Sequence, residues 1–127
     1  MKSIIFFTLL IAGLSVSAQE QFRVDFNYIT FYDPDSKTWS DWETATHTVV
    51  FNINQNKDIK HYTAKGEVLI YRNLGNREED YTSSGKHYQI IEALDDQGNE
   101  IRIQLFDDPN IGMKIMNGQF MVQFARF

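Results

Sequence analysis

The chain has 127 residues, 43% of them hydrophobic and 14% aromatic, with 12 basic against 17 acidic side chains, two prolines and no cysteine. Those figures describe an ordinary globular domain, too apolar and too lightly charged for a disordered tail. The net charge of −5 excludes a phosphate-tracking nucleic-acid binder, which needs a basic face, and the absence of cysteine excludes disulfides and thiol chemistry.

Met1-Lys2-Ser3 supplies one positive charge, Ile4 to Leu14 an apolar run, and Val16-Ser17-Ala18 a small-residue ending. The run is about 11 residues, well short of the roughly 20 that cross a bilayer. This pattern predicts a cleavable signal peptide over residues 1–18, with Gln19 as the new N-terminus, and export to the periplasm or the outside. The alternative is a buried N-terminal helix or an uncleaved anchor. Removing 18 of the 127 residues leaves a single domain over 19–127, 109 residues long, with 11 basic and 17 acidic groups and a charge of −6. With no disulfide to help, burial must stabilise it, so most aromatic residues are expected in the core. No membrane span is expected in the mature chain.

From Phe22 onward the pattern alternates with a period of two, and no long helical period appears. In chain order the expected strands are Phe22 to Tyr28, Thr48 to Ile53, Ile59 to Thr63, Val68 to Tyr71, Tyr88 to Ala93, Ile101 to Leu105, Met113 to Met116 and Phe120 to Phe124. Turn-forming residues separate them: Asn54 to Lys57, Asp95 to Asn99, Asp107 to Asn110, and Asn117-Gly118, which suits a type I′ hairpin turn. Connections this short join antiparallel neighbours. The expected fold is all-β, an antiparallel meander of seven or eight strands forming a small barrel or a sandwich. Tyr32 to Ser40 and Gly75 to Gly85 read as the loosest segments.

Several strands also carry an apolar residue on the face opposite the presumed core: Val50, Tyr62, Leu69, Tyr71, Ile91, Phe106, Met116 and Met121. Burial on both faces would explain them. An exposed patch would instead make Val50, Leu69, Ile91, Met116 and Met121 a partner surface.

Trp39 and Trp42 bracket Ser40-Asp41 ahead of the second strand, with Tyr32 close by in sequence. They read either as a hydrophobic plug at one end of the fold or as a stacking platform for a ligand such as a sugar. His47, His61 and His87 show no metal-ligand spacing and read as independent polar residues. Asp95 to Glu100 departs from a calcium loop, since Gly98 comes too early and strands flank it, so a turn is expected. No metal and no cofactor are expected. There is no nucleophile elbow, and a chain this short leaves little material for a deep cleft; paired carboxylates of a small hydrolase remain the enzymatic alternative. Phe120, Val122, Phe124 and Phe127 faintly suggest an outer-membrane strand, but the runs are shorter than such strands need, and charges at Arg23, Asp25, Lys60, Arg102 and Lys114 fit a wetted outer face better.

Ala93-Leu94-Asp95-Asp96-Gln97-Gly98, the Ile101 to Leu105 strand with its two successors, and Trp39-Ser40-Asp41-Trp42 together resemble small secreted bacterial β-meander proteins of uncharacterised function, which look like calycin-type barrels. The resemblance implies a small barrel and transfers no catalytic residue. No Gly-x-Trp lies in the first strand, a departure from the lipocalin pattern. The expected role is a non-enzymatic binding module for a protein or small ligand; a carbohydrate-binding module on Trp39 and Trp42, or an inhibitor or structural envelope protein with a protruding Gly75 to Gly85 loop, are the alternatives.

Overall fold

A computed structural model describes residues 20–127; the expected signal peptide over 1–18 lies outside them. Ten strands follow in order: β1 (Phe22–Asp33), β2 (Thr38–Trp39), β3 (Glu43–Phe51), β4 (Ile59–Tyr62), β5 (Val68–Asn73), β6 (Glu78–Tyr81), β7 (His87–Leu94), β8 (Glu100–Phe106), β9 (Met113–Asn117) and β10 (Phe120–Ala125). Every pairing is antiparallel. β1, β3, β4, β5, β7, β8, β9 and β10 form a meander, and β10 returns to pair with β1 from Tyr28↔Ala125 to Tyr32↔Met121. The sheet therefore closes as an eight-stranded barrel, with β2 and β6 as additions, which decides between the two expected architectures.

Alternation fills the interior. Val49, Phe51, Ile59, Ile91, Ala93, Ile103 and Met113 have no exposed surface, as eight strands enclose a space that side chains can fill. The β1–β3 register shifts between Phe26 and Tyr28. Phe26 and Ile29, three residues apart, consequently both reach the core, where strict alternation would send one of them outward.

Three expectations are corrected, and Phe106 keeps the outward face expected of it. Ile91 is a core residue, so it cannot belong to a partner surface, and Tyr71 points inward with it. Phe106 does lie on the outer wall, yet Tyr88 and Lys114 cover it, leaving it 7% exposed. Tyr32 to Ser40 is ordered: β1 runs to Asp33, β2 folds back on it, and buried Thr30 bonds the Ser40 carbonyl at 2.7 Å. Gly75 to Gly85 contains β6, which pairs with β7 from Glu78↔Ile90 to Tyr81↔His87. β5 and β6 flank the same side of β7 and act as one long strand broken at Leu74 to Arg77. Tyr88 to Ile90 of β7 are thereby paired with β6 on one side and with β8 on the other.

Candidate functional site

The two ends of the barrel differ in their connections. At one end the turns are tight. Asp95 Oδ1 accepts from the Gln97 and Asn99 amides at 2.9 and 2.8 Å, which holds its carboxyl below the usual range, the Asn99 amide acting most strongly. The last hairpin turns on Gly118-Gln119 between paired Asn117 and Phe120. Of those two residues Gly118 alone has a positive φ, 63°, which fits a type II′ turn in place of the expected type I′.

The other end carries the longer connections: residues 52–58, 74–86 and 107–112. Two adjoining cavities open there and share Phe22 and Gln89. The inner one, about 300 Å³, is lined mainly by the apolar side chains of Phe22, Val24, Phe26 and Leu105, with Asp107 and Arg126 among the remaining residues. The outer one, about 720 Å³, is polar, lined by Asn52, Lys57, Arg77 and Glu79 among others. An apolar floor beneath a polar rim is the usual composition of a small-ligand site.

Arg77 sits in the break between β5 and β6 and is half-buried. Its Nη2 donates to the Lys57 carbonyl at 3.0 Å, while its buried Nε–H has no acceptor among the described residues. Burial lowers its pKa, yet a guanidinium remains charged in a protein. Among the described residues no carboxylate lies within ion-pair distance of it. Asn52, in the same cavity, also has an orphaned buried Oδ1 and a left-handed backbone, φ 62°, a conformation that Asn tolerates better than most residues.

The wall above the cavities is clasped by His87. Its Nε2 lies 2.6 Å from Glu79 on β6 and its Nδ1 2.7 Å from Asp107 beyond β8. The two carboxylates, Glu79 foremost, raise the His87 pKa. The clasp ties three segments of the open end together. Lys86 and Asp108 add an exposed ion pair beside it at 3.0 Å.

The remaining histidines meet inside the barrel, which overturns their reading as independent residues. His47 Nδ1 and His61 Nε2 are 2.8 Å apart, and His61 Nδ1 lies 2.7 Å from the Tyr71 hydroxyl. The Phe124 ring packs against both imidazoles. Each neutral ring carries one N–H, so the chain of hydrogen bonds can run in either direction. Burial pushes His61 down to about 4, with His47 adding to the effect, and lifts Tyr71 above its ordinary value. Alternating sequence puts both histidines on inward positions, but only the Val49↔His61 register makes them neighbours.

The sequence-predicted site residues divide. Tyr32 pairs with both Trp39 and Met121, and Met121 pairs with Met116, so these four form a continuous run on the outer wall. The Tyr32 and Trp39 rings are 5.3 Å apart at 60°, with Lys114 Nζ 5.8 Å from the Trp39 ring. Trp42 instead meets Phe127 edge-on at 5.1 Å. Trp39 and Trp42 are 37% and 40% exposed, which overturns the plug: both lie against the outside of the wall, where tight turns already close the end. Val50 lies apart, on an outer groove with Tyr62 and Arg23, and Leu69 packs against the core. No family profile, curated protein or solved structure matches the chain.

Proposed function

We propose that this protein is an exported, non-enzymatic binding module that takes a small ligand at the open end of its barrel. The observation that carries the reading is the pair of neighbouring cavities that share Phe22 and Gln89, one lined mainly by apolar and the other mainly by polar side chains. Export is supported by the charged start, apolar run and small-residue ending of residues 1–18. The closed meander agrees with a calycin-like affiliation.

A neutral fluorophore, N-phenyl-1-naphthylamine, tests the reading. Saturable enhancement of its emission is expected with the native chain. Gln89→Trp, which enlarges a side chain that lines both cavities, should abolish it while the circular dichroism of the folded sheet is retained. Binding that survives the substitution would place the ligand elsewhere.

A second reading has its own observation. The run Tyr32, Trp39, Met121 and Met116 presents half-exposed aromatic and thioether groups side by side, a composition suited to an adaptable protein contact. Trp39→Ala should then weaken capture of the partner and leave fluorophore binding intact.

A further inference from the structure

We propose that Arg77 is the receptor for an anionic group, so that the open end takes an amphipathic anion: an apolar body bearing one carboxylate or phosphate. The inference rests on the reading of the open end as a ligand site.

Buried N–H groups ordinarily have acceptors and buried charges ordinarily have counter-charges. Arg77 lacks both. Among the described residues its Nε–H has no partner, and its charge is met only by the Lys57 carbonyl dipole at 3.0 Å. The planar fork of a guanidinium matches carboxylate and phosphate oxygens. Lys57 lines the same cavity and adds a second positive charge.

Position selects the rest of the ligand. The outer cavity shares Phe22 and Gln89 with the inner one. An apolar body lying against Phe22, Val24 and Leu105 can extend its head past the shared Phe22 and Gln89 to Arg77, while Arg126, the cation of the inner cavity, has the Asp107 carboxylate on the same lining. Glu20 and Glu79 also line the outer cavity. Glu79 is engaged by His87 at 2.6 Å, and both acids disfavour a polyanion, which limits the head to one group. The Nε–H itself is shielded, so the proposed pairing requires Arg77 to shift within the outer cavity that it lines.

The experiment titrates the full chain with octanoate, octyl phosphate and 1-octanol, by calorimetry and by amide NMR shifts. At least one anion should bind about tenfold or more tightly than the alcohol, as charge-assisted hydrogen bonds imply, and shift the Phe22 and Gln89 amides. The stronger of the two anions identifies carboxylate or phosphate. Arg77→Gln should remove the preference and leave octanol binding unchanged. Should that variant unfold, added salt must erode the preference in the native chain. Equal binding of all three compounds overturns the role of Arg77 and leaves the open-end site standing. Binding by none of them, with Phe22 and Gln89 unmoved, overturns the open-end site itself.

Discussion

The barrel interior and its open end both hold histidines, and they push them in opposite directions. His61 lies among Phe124, His47 and Tyr71, where desolvation disfavours the imidazolium and lowers its pKa to about 4. His87 stands between Glu79 and Asp107 near solvent, where two carboxylates favour the imidazolium and raise its pKa. One residue type thus serves as neutral core filler in the first place and as a charged clasp in the second. The environment decides which, by the balance of burial against neighbouring charge.

The bluntest way to break this contrast is to remove the packing that creates the dry interior. Phe51→Ala and Ile103→Ala should each destabilise by roughly 2–5 kcal/mol, since neither residue has any exposed surface. Unchanged melting midpoints would show the interior to be far looser than described.

Acidity sharpens the contrast. His61 is held neutral when folded and titrates near its ordinary 6.5 when unfolded. Its contribution is therefore complete above about pH 6.5 and lost as pH falls toward 4. The difference of some two and a half pH units corresponds to about 3 kcal/mol. Urea unfolding at pH 7.5 and at pH 4 measures it, and His61→Gln should flatten the dependence.

His87 has the opposite sign. Its folded pKa is raised, so the clasp is fully present below about pH 6.5 and disappears as pH rises through the raised value. Amide exchange over Glu78 to Tyr81 should accelerate at alkaline pH beyond the general base-catalysed rate. Glu79→Gln should bring the NMR-observed His87 titration down. A His87 that titrates below His61 would invert the comparison.

The smallest effect is expected on the outer wall. Arg102→Ala removes an exposed pair with Glu92 at 2.7 Å and should change stability by less than about 1 kcal/mol. A larger loss would mean that exposed charges contribute to the pH response attributed to the histidines.

The eight barrel strands were legible because Phe22, Val24 and Phe26, or Ile101, Ile103 and Leu105, alternate with polar residues and end at turn residues. β6 was hidden. Glu78, Glu79 and Asp80 have poor strand propensity, and they are ordered by pairing with β7 and by the reach of Glu79 to His87. The site was hidden for a related reason. Arg77 sits among turn residues, and what singles it out is a missing partner, which only the folded arrangement reveals. His47 and His61 are on separate strands and meet through register. Tyr32, Trp39, Met116 and Met121 were visible as residues worth attention, but their adjacency follows from closure of the barrel.

That closure also sets how the chain must fold. The seam joins β1 to β10, whose partners Tyr28 and Ala125 lie at opposite ends of the described chain. Such distant pairings come late and slow the approach to the native state. Until β10 docks, β1 and β9 present bare edges that invite strand exchange with other copies. Gly112 lies against the arriving strand: a Cβ there would meet the Phe124 carbonyl oxygen at 1.9 Å, so a larger residue would obstruct its docking. The hazard for this protein is therefore kinetic, concentrated in the interval before its last strand arrives.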